Sequence, residues 1–225
     1  MIPLRDDAPR FTAPGITWFL IALNTLIFLY ELSLPPHLRE VFLRQFGVTP
    51  ILFTHSGTVP WFTLISSMFL HGSWLHLISN MWVLYIFGDN VEDHLGHFRY
   101  LLFYFGCGIA ASALQILLSA NSRIPSVGAS GAIAGVMGAY FLLFPAARVL
   151  TWVPFLVVFF LWLPAWIVLG YWFIVQFLSG AATSIGSTAS TLHGGGIAFW
   201  AHVGGFAAGL LLAKLLPARH THFRI

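Results

Sequence analysis

Apolar residues are gathered into six long stretches along the chain, and shorter segments between them carry most of the charged side chains. The stretches cover residues 16–34, 72–88, 98–119, 130–146, 152–178 and 198–216. Each is close to the roughly 20 residues that a helix needs to cross a bilayer. The fifth is longer and contains Pro154 and Pro164, and we interpret it as one tilted or kinked helix, since two spans would need about 40 residues. The pattern predicts an all-α membrane protein with six transmembrane helices.

Two long connections separate these stretches. Residues 35–69 contain several prolines and aromatic residues, including Phe53 and Trp61, in amphipathic patches. Such patches predict a large, membrane-associated first loop that lies in the interface. Residues 179–196 are rich in Gly, Ser and Thr and predict an irregular, mobile loop.

Composition supports a membrane protein and excludes several other classes. Hydrophobic residues make up 58% of the 225 residues and charged residues only 8%, whereas soluble domains carry about 25% charge. The formal net charge of +3 is too small and too scattered to indicate nucleic acid as a partner. The single cysteine, Cys107, excludes an intrachain disulfide and a multi-cysteine metal site.

Basic residues predict how the spans are oriented. The first apolar stretch lacks a small-residue cleavage site and is followed by further spans, so we expect it to be retained. A cytoplasmic N-terminus leaves seven basic residues on the inner side and three on the outer side, which also predicts a cytoplasmic C-terminus. A compact chain without a targeting extension favours a bacterial or archaeal plasma membrane, with a mature organelle form as the alternative.

Polar side chains are rare inside the predicted spans. All seven acidic residues lie outside the predicted membrane core, with Glu31 nearest to it, so paired intramembrane aspartates are excluded. No His-Glu-x-x-His zinc motif occurs. The ionisable residues within spans are His76 and His202, with His71 at the outer edge, and such residues indicate function because they are costly in lipid. Asn80 follows His76 by four residues and shares its helix face.

The direction of the spans brings these groups together. Spans two, four and six run the same way, so their first residues lie on the same side of the membrane, which is extracytoplasmic if the N-terminus is inside. His76, Asn80, Ser130 and His202 are therefore expected at a similar depth, a little inside the outer surface.

Small residues predict that the fourth and sixth spans are in close contact. Those following the serine on the fourth span are Gly131, Ala134, Gly135 and Gly138. On the sixth span, Gly205 and Gly209 follow His202 and form a small-x-x-x-small pair. Such faces let membrane helices approach closely, which would press His202 against Ser130. Gly128 just before the serine permits a tight turn.

A serine beside a histidine is a combination that performs acyl transfer. A neutral imidazole can take the serine proton, and without a carboxylate the device would be a Ser130–His202 dyad. The developing oxyanion needs hydrogen-bond donors, which His76, Asn80 and the Ser130 backbone N–H can supply beside the positive end of the fourth helix.

Three segments resemble the signatures of rhomboid intramembrane serine proteases. They are GASG at 128–131, HGSWLHLISN at 71–80 and AHVGGFAAG at 201–209, and the likeness extends over nearly the whole chain. The resemblance implies Ser130 as nucleophile and His202 as general base, with His76 and Asn80 supporting the oxyanion. It also implies a rhomboid-like bundle in the lipid bilayer, transmembrane protein substrates cut near the outer end of their helix, and no metal or other cofactor.

Two positions depart from the family pattern. Rhomboids often carry an aromatic residue four positions after the serine, where it contacts the base, and this chain has Ala134 there. The first loop often carries a Trp-Arg pair, but no arginine follows Trp61. The residue that orients His202 therefore stays open, while Gln115 and Gln176 are expected to be buried hydrogen-bonding partners.

The resemblance also implies roles for the fifth span and for the loop after it. The fifth span would form the side through which substrate enters, and residues 179–196 would cap the site. The aromatic residues assigned to that entry side are Phe155, Phe159, Phe160, Trp162 and Trp166.

Three alternatives to the main hypothesis of an intramembrane serine endopeptidase stay open. The first is a catalytically inactive rhomboid-like protein that binds or escorts membrane proteins, although both dyad residues are present. The second is a small transporter that uses His76 and His202, although no carboxylate relay accompanies them. The third concerns residues 89–97, DNVEDHLGH, which offer metal-ligand types but are ordinary as solvated charge after a helix end.

Overall fold

The structure, a computed structural model, describes residues 1–55, 59–154, 158–186 and 198–219. In chain order its elements are β1 (Ile2–Asp6), α1 (Gly15–Ser33), α2 (Pro36–Phe46), α3 (Pro50–Thr54), α4 (Thr63–Ser66), a 3-10 turn (Ser67–Phe69), α5 (Trp74–Leu95), α6 (His97–Leu118), α7 (Ser130–Leu143), β2 (Arg148–Pro154), β3 (Val158–Pro164), α8 (Ala165–Gly186) and α9 (Phe199–Leu215). Among them, α1, α6 and α8 are long and apolar enough to cross a membrane, and α7 and α9 are apolar but shorter.

A three-stranded antiparallel sheet in the order β1-β2-β3 corrects the all-α prediction. The expectation of one helix over residues 152–164 is wrong, because residues 152–154 complete β2 and residues 158–164 form β3. The segment is rich in β-branched and aromatic residues, which favour a pleated strand, and hydropathy alone cannot distinguish an apolar strand from a helix. Val149 and Thr151 are fully buried and alternate with the partly exposed Leu150 and Trp152. Pro154 and Pro164 stand at strand ends, where a missing N–H is tolerated.

The fifth long helix is shifted along the chain from its predicted position. It begins at Ala165 and continues to Gly186, so residues 179–186 are helical and not loop. The hydroxyls that suggested a loop are satisfied inside the helix, since Thr183 and Ser184 both donate to the Gly180 carbonyl at 2.8 and 3.0 Å. The remainder of the predicted cap, residues 187–197, lies outside the described residues.

The aromatic residues assigned to the substrate side do not form one helix face. Phe159, Phe160 and Trp162 lie on β3, and Trp166 lies in the first turn of α8. Phe155 is outside the described residues. Since β2 follows the C-terminal end of α7, the sheet lies at the end of the bundle away from Ser130.

Helix α7 is the centre of the bundle, with all ten residues from 131 to 140 buried. It meets α9 backbone to backbone: a Cβ on Gly205 would overlap the carbonyl oxygen of Gly131, and one on Gly209 would overlap that of Gly135. On its α6 side, Gly135 lies against the fully buried Cys107. The glycines thus bring α7 close to both neighbours and fix its position.

The connection from 35 to 69 contains α2, α3 and α4 and is tied to the helices at two places. Arg39 of α2 donates to the carbonyl oxygens of His71 and Gly72, both at 3.2 Å, just before α5 begins. Val48 forms an isolated antiparallel bridge with Ser126, in the segment that leads into α7. These ties hold the approaches to α5 and α7 next to each other.

Candidate active site

Ser130 is the first residue of α7 and follows a turn that only glycine makes easily. Gly128 has φ of +125°, a region that side chains with a Cβ rarely adopt. Its N–H donates to the Ser67 carbonyl at 2.8 Å, which anchors the turn on the first connection. The backbone N–H of Ser130 lies in the first helical turn, where amides have no intrahelical acceptor.

His202 lies in the first turn of α9 and faces Ser130. Its Nε2 is 2.8 Å from the Ser130 Oγ, which is a hydrogen-bond distance. His202 is buried and Ser130 is half-buried. The pair comes together because both residues start helices that run in the same direction and touch along Gly131 and Gly205.

The other edge of the imidazole contacts α8. Nδ1 of His202 is 2.7 Å from the side-chain Oε1 of Gln176, and the Trp172 ring lies with its centroid 5.6 Å from that of the imidazole. Ala134, at the position where an aromatic residue was considered, is fully buried against α9 near Gly205. Apart from Ser130, the residues that hold the His202 imidazole therefore come from α8.

Sequence reasoning assigned Gln176 only a buried hydrogen bond and overlooked Trp172. Their spacing of four residues is a usable signal, because it places both on one face of a helix. The direction of that face was hidden, because α8 is apolar on several sides and hydropathy does not separate a lipid side from a protein side.

His76 and Asn80 border a small space above Gly128. A Cβ on Gly128 would lie 2.6 Å from Nε2 of His76 and 3.6 Å from Nδ2 of Asn80. The missing side chain therefore leaves room beside two side-chain nitrogens, two residues before Ser130. A carbonyl oxygen carried on a substrate would fit a space of this kind.

A buried polar group behind Asn80 holds its amide. Nδ2 of Asn80 is 3.0 Å from Nε2 of His71, a residue that is fully buried and not at the surface. The backbone N–H of His71 donates to Glu31 at 3.1 Å, and the Glu31 carboxylate lies 3.8 Å from Arg39. Glu31 is fully buried, although its position near the helix end suggested an outer edge.

The acidic residues of the 89–97 segment have protein partners. Glu92 is buried and accepts from the backbone N–H groups of Ile16 and Thr17, both at 2.8 Å, at the N-terminus of α1. Asp89 pairs with Arg10 at 3.1 Å. In the part of the chain that the structure describes, no group of three or more His, Cys, Asp or Glu side chains is arranged to hold a metal ion.

Two carboxyls outside the spans share a site with Tyr140, at the opposite end of α7 from Ser130. The Tyr140 hydroxyl donates to Asp6 of β1. Burial, with the nearby Asp6 charge adding to it, raises the pKa of Asp89 to about 6. Burial likewise raises the pKa of Asp6. Arg148, which hydrogen-bonds Asp7 through its backbone and side chain, holds the pKa of that carboxyl below its usual value.

Known proteins resemble the chain over most of its length. A family model described as the Rhomboid domain matches residues 59–219. Rhomboid-like protein 11 from the Arabidopsis thaliana chloroplast is 28% identical over 212 residues, covering 92% of this chain and 67% of that protein. Mitochondrial rhomboid protein 1 of Saccharomyces cerevisiae is 33% identical over 219 residues, covering 92% of this chain and 56% of that protein. The putative rhomboid protease YdcA of Bacillus subtilis is 35% identical over 128 residues, covering 56% of this chain and 61% of that protein.

The chain spans between 56% and 67% of the length of these three relatives. The relatives therefore contain further sequence to which this chain does not align.

Proposed function

The chain belongs to the rhomboid family, and on that premise we propose that it is an intramembrane serine endopeptidase that cuts membrane proteins in or near their transmembrane segments. The observation that carries the proposal is the 2.8 Å separation of Ser130 Oγ and His202 Nε2 between two touching apolar helices. Relatives from Bacillus subtilis named as rhomboid proteases also support it.

The proposed reaction is acyl transfer through a serine ester. Ser130 Oγ attacks the carbonyl carbon of the scissile bond while its proton passes to Nε2 of His202. The tetrahedral intermediate then collapses, the C–N bond breaks, and the imidazolium returns that proton to the leaving amine. A water molecule, deprotonated by the same nitrogen, next attacks the ester carbon. The ester C–O bond then breaks, the imidazolium returns the proton to Ser130 Oγ, and the new carboxyl group is released.

The oxyanion of each intermediate would lie in the space that a Cβ on Gly128 would occupy. His76 and Asn80 approach this space with side-chain nitrogens, and the N–H of Ser130 lies at the start of the same helix. Removing one donor from such a hole costs about 3 kcal/mol, or roughly a hundredfold in rate. Asn80 is held from behind by His71, so it needs little reorganisation during the reaction.

We further propose a single membrane domain over residues 1–225 with six spans. Its termini would lie in the cytoplasm and its active site towards the extracytoplasmic side of a cell membrane. The surplus of basic residues on the inner connections supports this orientation. Relatives named as mitochondrial and chloroplastic make organelle membranes the alternative location. Reporter fusions to each connection would decide the orientation.

Purified protein in liposomes with a model single-span substrate tests the activity. We expect the parent to cleave and to react with a fluorophosphonate probe, and Ser130→Ala and His202→Ala to do neither. Cleavage that survives Ser130→Ala would overturn the mechanism. A folded parent that binds the substrate but neither cuts nor labels would favour the binding or escort alternative.

A further inference from the structure

Resting on the proposed function, we propose that Gln176 is the positioning residue of the base, holding His202 in the tautomer and orientation that Ser130 requires, with Trp172 supporting the face of the ring. The site would then be a serine–histidine–glutamine triad whose third member carries no charge.

The tautomer follows from what each atom can donate. The glutamine Oε1 only accepts, so the 2.7 Å contact with Nδ1 of His202 requires a proton on Nδ1. A neutral imidazole has one N–H, so Nε2 then presents its lone pair to Ser130 Oγ at 2.8 Å. The opposite tautomer would place a hydrogen between Nε2 and the serine and would leave Oε1 without a donor. Gln176 therefore selects the form of His202 that acts as a base.

Trp172 supplies a second restraint on the same ring. Its plane is inclined by 38° to the imidazole at a centroid distance of 5.6 Å, so it covers a face while Gln176 holds an edge. The two residues are four apart and share one face of α8. On the α7 side, Ala134 is too small to cover the ring, which explains why the support comes from α8.

An uncharged residue such as Gln176 suits a position between apolar helices. A carboxylate in the same position would stabilise the imidazolium more strongly, but Gln176 is partly buried among apolar helices, where an ionised group is costly. An amide orients the ring without that cost, since its oxygen dipole still favours the protonated state of Nδ1. His202 is thus oriented mainly by geometry and less by charge.

Three substitutions on one helix test the role. Gln176→Met keeps the length of the side chain and removes the acceptor, and we expect the fluorophosphonate labelling rate of Ser130 to fall about 10- to 100-fold, part of what a general base contributes. Gln176→Glu restores an oxygen acceptor and should recover most of that rate. Trp172→Leu should lower the rate about 10-fold.

Phe173→Leu is the matched control for Trp172. Both aromatic rings contact Phe206, with centroids at 4.7 Å for Phe173 and 6.3 Å for Trp172, but Trp172 alone of the two contacts His202. We expect Phe173→Leu to label at close to the parent rate. Equal losses for both variants would mean that general packing of α8 matters, and would overturn the role of Trp172.

A spectroscopic measurement separates this inference from the proposed activity. The ring ¹⁵N signals of His202, assigned by their loss in His202→Ala, should show a protonated Nδ1 and a bare Nε2 in the parent, and mixed tautomers in Gln176→Met. This readout needs no turnover, so it can be made whether or not the protein cleaves a substrate.

The possible outcomes each decide something. If the parent labels, and Gln176→Met labels as fast with unchanged His202 signals, the inference is overturned while the proposed function stands. If the parent does not label, the proposed function fails, and the parent spectrum still tests the tautomer: a proton on Nε2 overturns the inference.

Discussion

Gly128 shows how an absent side chain can build part of a site. Its positive φ turns the chain into α7, and the volume that a Cβ would occupy is bordered by His76 and Asn80. Position 128 therefore has two requirements that glycine alone meets, a conformational one and a spatial one.

Replacing this glycine should damage chemistry more than folding. We expect Gly128→Ala to lower the rate of Ser130 labelling at least about 10-fold, since the Cβ would press on Nε2 of His76, and to cost about 1–2 kcal/mol of stability from backbone strain. The rate and the melting temperature in detergent micelles measure the two effects. Gly72→Ala is the control, because nothing lies within 4 Å of a Cβ there, and it should behave like the parent. Equal labelling by both variants would contradict the assigned space.

The pairing of Ser130 with His202 was predictable from sequence, and the partner of His202 was not. The direction of alternate spans predicts that Ser130 and His202 lie at a similar depth in the membrane. The spacing of small residues predicts that α7 and α9 are in contact. The partner depends on the rotation of α8 about its axis. Trp172 and Gln176 sit among apolar residues of a helix that contacts both its neighbours and its surroundings, so no polarity pattern reveals their direction.

Among the elements, α7 and α9 have the closest contact. Gly205 and Gly209 of α9 lie against the carbonyl oxygens of Gly131 and Gly135, and Gly138 lies against the Phe206 backbone. Close contact of this kind replaces the hydrophobic effect as the source of stability where lipid is as apolar as the side chains.

A methyl group in this interface should separate the two helices. We expect Gly209→Ala to lower the free energy of unfolding by about 3 kcal/mol, because the backbones must move apart to admit the Cβ. Gly106→Ala, where the nearest atom is the Leu212 side chain at 3.4 Å, should be neutral or slightly stabilising. Thermal unfolding in micelles compares them, and similar melting temperatures would contradict the backbone contact.

The strands show that hydropathy is insufficient to predict which secondary-structure element an apolar segment forms. Residues 152–164 are apolar enough to resemble the start of a span, yet residues 152–154 belong to β2, which pairs with β1, and residues 158–164 form β3, which pairs with β2. The β1 partner lies more than a hundred residues away in the chain and is only five residues long, so no local pattern announces the sheet.

Across the whole molecule, the end of the bundle opposite Ser130 is organised by carboxyl groups from distant segments. Asp6 comes from the N-terminal strand, Asp89 from α5, and Tyr140 from the C-terminal part of α7. A raised pKa means that the folded protein binds a proton more tightly than the unfolded chain, so the contribution of Asp89 to stability is lost as the pH rises through about 6.

The parent should therefore gain stability relative to Asp89→Asn when the pH falls from 7 to 5. Burial lowers the pKa of His94, which acts in the opposite direction in this range, so the difference between the two proteins carries the test. The measurement is the melting temperature of both at pH 5 and pH 7, and a difference independent of pH would contradict the raised pKa. Asp7→Asn is the control, since the depressed pKa of Asp7 makes its contribution to stability constant in this range and lets it fall only at lower pH.

The placement of Cys107 has a practical consequence. It is the single cysteine of the chain and is fully buried between α6 and α7. A thiol shielded in this way reacts slowly with maleimides, so the natural sequence already serves as an unlabelled background. Cysteines introduced at exposed positions such as Tyr171 of α8 and Leu211 of α9 would take up spin labels selectively. The separation between α8 and α9 can then be followed by electron paramagnetic resonance in lipid, without disturbing the contact that Cys107 makes with Gly135.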